Sequence, residues 1–395
     1  MHPYLFTFPG GYSIKTYGFC MMVGFLTGVW LAMRRAMRVK ADPDIILDIG
    51  FLSLLFGVGG ARLFFVTHYW KSQFADAPNQ LLAVLDITKG GLEFLGGLIG
   101  AVLAATIYAH VKKISLRLYL DILAPSAMWG LAIGRIGCFF NACCFGGPAT
   151  LDHTHMQAHP WAVRFPYGSS PHLRQWEERD VTLPAELMFA AHEPLVPFPI
   201  PDTALSMSLE RRERPKREAE QLAQAYERAK AENPDSAQAK SLQAAVAAMA
   251  KRLKGQEQEL GSLAWAQRFP SRVNPARKTS VSELEELAAG HRSLPIHPTQ
   301  LYDTIHALIL SGLLSALFYV RKRHGVVMGA LLLLYPLPRF LLESIRADNP
   351  GDVGGFTASQ FVSAMILALG VAWMIVLFWR LPERSPYAVA PAPAA

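Results

Sequence analysis

Apolar residues run through this chain in long blocks, without the alternation of a half-buried strand or the one-sided stripe of a soluble helix. Tyr17 to Met33, Ile45 to Val66, Gly91 to Ala109, Tyr119 to Ile136, Leu301 to Val320, Val326 to Ile345 and Ala358 to Trp379 are each apolar on nearly every side. About 20 such residues cross roughly 30 Å of hydrocarbon as a helix, and core helices of soluble proteins rarely stay apolar all round for that length. The pattern predicts seven transmembrane helices and an all-α integral membrane protein.

Between the fourth and fifth blocks the pattern breaks. Residues 148–296 are polar, and within them Pro215 to Glu232 and Ala237 to Leu263 are rich in Ala, Glu, Gln, Lys and Arg, separated by the turn signal "NPDS". Leu242, Val246, Met249, Leu253 and Leu260 fall on one helical stripe, which predicts a helical hairpin. The organisation that follows is a first membrane part over 1–147, an inserted segment over 148–296, a second membrane part over 297–380 and a disordered Pro/Ala-rich tail over 381–395.

Charge gives this outline a direction. Of 395 residues 51% are hydrophobic and 17% charged, with a formal charge of +7. The basic residues concentrate after alternate spans: Arg34, Arg35, Arg38 and Lys40 after the first, Lys112, Lys113 and Arg117 after the third, Arg321, Lys322 and Arg323 after the fifth, Arg380 and Arg384 after the seventh. Basic loops stay in the cytoplasm. The N-terminus and the insertion are therefore expected outside and the C-terminus inside, and the positive charge reads as a topology signal, excluding nucleic acid as a partner. Met1 to Lys15 lacks the basic start and cleavage site of a secretory signal, so no cleavage is expected there.

Candidate chemistry collects at the outer ends of the spans. An arginine at mid-bilayer costs about 2.5–3.5 kcal/mol on insertion scales, so one within or beside a span is a functional candidate by default. Arg135 and Asn141 close the fourth span; Tyr335, Arg339, Glu343 and Arg346 share one helical face at the end of the sixth; Arg62 lies near the outer end of the second. Lys15 and Tyr17, Glu93 and His297 begin the first, third and fifth spans at the same level. Structural readings compete for single residues, since Arg339 and Glu343 suit a helix ion pair and Arg62 suits snorkelling. Several arginines together favour a phosphodiester anion, which a guanidinium fork grips bidentately, and at a lipid interface that means a phospholipid.

His153, His155 and His159 in "DHTHMQAH" match no established metal spacing and are read as a polar loop, so no metal and no cofactor is expected. Cys138, Cys143 and Cys144 lack paired C-x-x-C spacing and are read as small packing residues, with a disulfide as the alternative.

Four stretches, "GGLEFLGGLIG", "GRIGCFFNACCFG", "HPTQLYD" and "RFLLESIRAD", resemble in sequence and order the motifs of the bacterial prolipoprotein diacylglyceryl transferases, whose signature is typically G-R-x-G-N-F-x-N-G-E-x-x-G. The resemblance covers roughly residues 10 to 148 and 290 to 380. It implies transfer of the diacylglyceryl group of phosphatidylglycerol to the lipobox cysteine in the signal peptide of a prolipoprotein, forming a thioether and releasing glycerol phosphate at the outer face of a bacterial cytoplasmic membrane. It also implies Tyr17, Asn141 and Gly146 as substrate-site positions; on the charge and chemistry of the residues, Arg135 and Arg339 are expected on the phosphate, Glu343 orienting Arg339, Arg346 and His297 at the rim, and Tyr335 and Arg62 as further substrate-site candidates. This chain departs from the family at Leu95, where many members carry histidine, and at Cys138, Ala142 and Cys143, which replace Asn, Gly and Glu of the signature. Alternatives are a diverged homologue with another acceptor, a membrane thiol oxidoreductase using the cysteines, and a lipid or anion transporter.

Overall fold

The computed structural model describes residues 4–7, 13–70, 74–75, 80–86, 91, 93–150, 158–190, 197–200, 202–233, 236–260, 281–348 and 355–384. His153, His155 and residues 385–395 of the expected tail lie outside them. In chain order the helices are α1 (Thr16–Arg38), α2 (Asp44–His68), α3 (Gln80–Leu85), α4 (Phe94–Val111), α5 (Leu116–Phe140), α6 (Ser170–Glu177), α7 (Asp202–Glu232), α8 (Ala237–Leu260), α9 (Val281–Gly290), α10 (Thr299–Val320), α11 (Val326–Leu334), α12 (Pro336–Ile345) and α13 (Ala358–Trp379). Two short antiparallel pairs accompany them, β1 (Tyr4–Thr7) with β2 (Ser13–Lys15) and β3 (Met188–Ala190) with β4 (Pro197–Pro199). The chain divides into two compact units, Phe145–Pro298 and the sequence on either side of it.

In the flanking unit, six helical stretches are long and apolar enough to cross a bilayer: α1, α2, α5, α10, α11 with α12, and α13. The expected third span is a shorter apolar helix, Leu95–Val111. Glu93 keeps an extended backbone (φ −99°, ψ 127°), so the helix starts late in its segment. The sixth stretch is one apolar run in sequence but two helices in space. Pro336 and Pro338 have no N–H to give, and the ladder restarts at Tyr335.

Small residues let the helices approach closely. α1 and α5 run antiparallel through Gly24, Gly28, Gly130 and Gly137, and a Cβ on Gly24 would stand 2.9 Å from the Gly130 carbonyl oxygen. α2 and α4 meet in the same way, and a Cβ on Gly96 would collide with the Gly60 carbonyl. α10 lies along α5, where Ser311 donates to the Pro125 carbonyl (2.8 Å) and Thr304 to that of Ala132 (3.4 Å). Ala32, Ala36, Ile46, Ile122, Leu314, Phe318 and Val327 belong to the buried core of this bundle. Its outer side stays apolar, with Phe51, Leu63, Leu103, Ile309, Leu341 and Leu369 all more than half exposed, the surface that hydrocarbon requires.

Polar side chains inside the bundle are anchored. Asp121, fully buried on α5, accepts from Arg321 Nε (2.8 Å) and from the backbone N–H groups of Gly325 (2.8 Å) and Met328 (2.9 Å). It thereby caps α11 and holds the turn before it. Arg35, grouped by sequence with the loop after the first span, lies within α1 and is buried, donating to the Ile122 carbonyl (3.3 Å), Ser126 Oγ (2.7 Å) and Ser315 Oγ (3.0 Å).

The Phe145–Pro298 unit has its own small core of Tyr167, Leu187, Ile200, Leu284 and Ala288, and within the unit α7 packs against α8. Tyr167 Oη donates to the Ile200 carbonyl at 2.8 Å, while Phe165 N–H donates to Ser293 Oγ at 2.8 Å and Ser293 N–H returns a bond to the Phe165 carbonyl at 2.9 Å. His172 on α6 is fully buried beside the Tyr167 ring, and neither ring nitrogen has a hydrogen-bond partner among the described residues.

Two consequences are measurable. Asp121→Ala leaves Arg321 as an uncompensated buried cation and uncaps α11, so it destabilises the protein by about 3–5 kcal/mol in unfolding experiments in detergent. Burial, reinforced by His291, pushes His172 down from 6.5 to about 4. The neutral form is the folded form, so its stabilisation is complete above pH 6.5 and is lost as pH falls through 6.5 toward 4. Unfolding of the full chain followed between pH 7.5 and 4 should show this decline, and His172→Leu should flatten it.

Candidate active site

α12 begins at Pro336, so the positions it turns inward are spaced from Tyr335: Arg339 and Glu343 are buried, while Leu337, Leu341 and Ile345 face outward. Arg339 Nη1 pairs with Glu343 Oε2 at 2.5 Å, and its Nη2 donates to Ser359 Oγ on α13 at 3.2 Å. Arg346, just past the helix end, reaches the same Glu343 oxygen at 3.3 Å and forks onto Asp348 through Nε (2.9 Å) and Nη2 (2.8 Å). Glu343 thus sits, 2% exposed, between two guanidinium groups.

A second ion pair joins α5 to α10. Arg135 Nε stands 2.7 Å from Asp303 Oδ2, with Asp303 only 2% exposed. One helical turn on, His306 Nδ1 lies 3.8 Å from the other oxygen of Asp303, and its ring stacks on Tyr335 with centroids 6.0 Å apart. Tyr335 interacts with Asp303, Arg135 and Arg339 together, which links the two ion pairs into one buried layer. Besides its pairing with Asp303, Arg135 hydrogen-bonds Tyr335.

The end of α5 fixes the neighbouring residues. Asn141 is the C-cap, Cys143 N–H donates to the Cys138 carbonyl (3.2 Å) and Ala142 N–H to that of Phe139 (3.2 Å), the paired bonds of a Schellman turn. Ala142 takes the left-handed conformation that this turn requires (φ 53°), and Cys144 takes it again (φ 58°). The turn is tied to α10, whose Thr299 Oγ1 donates to the Cys144 carbonyl (2.6 Å) and Gln300 Nε2 to that of Cys143 (2.7 Å). Tyr17, at the start of α1, interacts with all three cysteines of the turn and with Arg135, and Asn141 hydrogen-bonds Cys143.

Of the residues singled out from sequence, Tyr17, Arg135, Asn141, Tyr335, Arg339, Glu343 and Arg346 come together here. Arg62 is placed differently: its guanidinium donates to the carbonyls of Ala83 (2.7 Å), Val84 (2.8 Å), Asp86 (2.9 Å) and Gly91 (3.0 Å), and so ties the end of α3 and residues beyond it to α2. Gly146 and His297 belong to the Phe145–Pro298 unit, where Gly146 N–H donates to the His297 carbonyl at 3.0 Å. The His297 ring stands 5.9 Å from that of His159, which stacks on Trp161, and its pKa is lowered by burial and then by His159. Asp303, His306, Asp348 and Ser359 were not singled out from sequence. The first two carried a signal, because an ionisable pair three residues apart within an apolar span is itself a functional candidate.

The sequence profile of the prolipoprotein diacylglyceryl transferase family matches residues 3–224 and 248–376. The chain belongs to this family. It is similar to a phosphatidylglycerol–prolipoprotein diacylglyceryl transferase of Rhodopirellula baltica, 27% identical over 390 residues that make up 94% of this chain and 74% of the relative. Shorter matches join it to transferases of the same name from Trichormus variabilis (33% identical over 42% of this chain and 58% of the relative) and Bacillus cytotoxicus (37% identical over 37% and 54%). Both the Arg135 turn and the Arg339 helix fall within the family match.

The geometry sets an order of sensitivity. Glu343→Gln keeps the shape but strands the buried Arg339 guanidinium group, while Arg346 keeps Asp348, for an expected loss of about 3–5 kcal/mol on unfolding in detergent. Ser359→Ala removes one peripheral hydrogen bond to Arg339 and should cost about 1 kcal/mol.

Proposed function

We propose that this chain transfers the diacylglyceryl group of phosphatidylglycerol to the lipobox cysteine thiol of an exported prolipoprotein. The observation that carries this reading is the layer of Arg135, Arg339 and Arg346, Arg339 buried and the other two partly so, each held by a carboxylate, in a member of the transferase family. In the reaction the sulfur forms a bond to the glyceryl carbon, the bond from that carbon to the phosphate oxygen breaks with its electron pair leaving on oxygen, and glycerol phosphate departs. Charge grows on the phosphate as this happens. Guanidinium groups aimed at it before the reaction stabilise that charge without reorganising.

Arg135 and Arg339 take the phosphate oxygens, with Asp303 and Glu343 fixing their orientation, and Arg346 stands at the rim. Tyr17, Asn141 and Tyr335 line the same layer from α1, the α5 turn and the α11–α12 junction. Arg62 acts through the backbone it holds, and Gly146 and His297 rest on the family motifs alone. A free thiol has a pKa near 8.5 and attacks as the thiolate, so its proton needs an acceptor. With leucine at position 95, His306 is the imidazole of the layer, and its pairing with Asp303 supports it as that acceptor.

We infer a seven-span topology in which α4 crosses together with the six longer stretches, the N-terminus and the insertion lie outside, and the C-terminus is cytoplasmic. The basic loops after alternate spans support this orientation in a bacterial inner membrane.

The decisive assay combines purified protein in detergent, phosphatidylglycerol and a lipobox peptide, read by mass spectrometry. The peptide gains a diacylglyceryl mass with wild type. Arg135→Ala and Arg339→Ala each lower the rate about 10²–10³-fold, and His306→Gln lowers it about 10²-fold or more while unfolding stays near wild type. Absence of adduct from folded wild type across several lipid mixtures would overturn the reading. Adduct formation indifferent to both arginines would overturn the phosphate clamp.

A further inference from the structure

The transferase chemistry leaves the three cysteines at the end of α5 without a role. Their sulfur atoms all lie within 4.8 Å of one another, Cys138 buried and Cys143 and Cys144 partly so. The backbone produces this convergence. In a Schellman turn the residue after the left-handed position comes back over the residue five before it, here Cys143 over Cys138. A second left-handed residue, Cys144 itself (φ 58°), carries the third thiol to the same place. Each left-handed non-glycine residue costs about 1–2 kcal/mol. The turn accounts for the approach of the side chains, and three thiols at this distance form a ready donor set.

We propose that Cys138, Cys143 and Cys144 form a three-thiolate site for a thiophilic d10 cation of the Zn(II) class. Soft thiolate donors select such ions, and three protein ligands leave a fourth position to water or another donor. With Zn–S bonds of about 2.3 Å the sulfurs of a tetrahedral site stand about 3.8 Å apart, so the trio closes by no more than about 1 Å on loading. Three thiols lose their protons to solvent on binding, and no electron is transferred. Three thiolates around a dication carry one net negative charge, and Arg346 and Arg135 both act on Cys144 as its counter-charges. The donor set is also held in advance, since Thr299 and Gln300 bind the two carbonyls of the turn. A disulfide would use two of the sulfurs and leave the third; a metal ion uses all three.

The site is tested on the full chain in detergent, by reading metal and thiols, so the outcome does not depend on the transferase assay. The protein is purified with reductant, stripped with chelator and titrated with Zn(II) or Cd(II). The expected result is one ion per chain, a thiolate-to-metal charge-transfer band with Cd(II), and loss of alkylation by mass spectrometry at Cys138, Cys143 and Cys144, with Cys20 labelling unchanged by metal. Cys143→Ser weakens Cd(II) binding at least about ten-fold, whereas Cys20→Ser does not. Should the serine variant fold poorly, metal protection of the wild-type thiols still decides the question. No stoichiometric ion with alkylation indifferent to metal overturns the proposal, as does a disulfide within the trio in protein that holds no ion.

Discussion

A buried carboxylate between two arginines, Glu343 with Arg339 and Arg346, is the interaction on which the rest of this site depends. In a helix bundle with an apolar exterior an isolated guanidinium group costs several kcal/mol, and three in one layer are tolerable only where each has an anionic partner within hydrogen-bond range. The partners here are Glu343, Asp348 and Asp303. Because each carboxylate engages one edge of its arginine, the charges are neutralised in sum while individual N–H groups stay directed. An anion entering the layer meets donors already oriented, and the protein has paid for that orientation in folding, before any substrate arrives.

The broken sixth span makes the arrangement possible. Had Val326 to Ile345 formed one straight helix, Tyr335 would be an ordinary interior position. The prolines at 336 and 338 free the backbone there and start α12 afresh, and the new helix turns Arg339 and Glu343 inward against α13 and brings Arg346 back to Glu343. At its other end the same span is capped by Asp121, so α11 is fixed by a carboxylate of α5 while α12 is coupled to α5 through Tyr335 and Arg135. The two ends of α5 therefore govern both halves of the broken helix.

Much of this was legible in sequence, because hydrocarbon permits few patterns. The apolar blocks located the long helices, and the four, four and three spacing from Tyr335 to Arg346 placed those residues on one face. The late start of α4 was not legible, since it depends on the extended backbone at Glu93 and hydropathy averages across it. Arg35 and Arg62 were read by their charge, whereas their partners are largely backbone carbonyls distant in sequence, which no local pattern encodes. Asp303 and His306 were hidden for a different reason: a polar pair inside a long apolar run is outweighed by its neighbours, although it is the exception in such a run that carries chemistry.

The end of α5 shows how a turn's backbone decides which side chains meet. The family signature places glycine where this turn must be left-handed, and glycine adopts that conformation without strain. Here Ala142 holds it, and the turn survives because four hydrogen bonds fix it: two close it on α5, and two side chains of α10 grip its carbonyls. In this turn the side chains at the C″ and C3 positions meet, whatever they are. In the signature those positions are an asparagine and a glutamate; in this chain they are Cys138 and Cys143, and Cys144 follows. In this chain the geometry sets sulfur beside the arginine layer. The chemistry at this point follows from residue identity, since the backbone of the turn is what brings the side chains together.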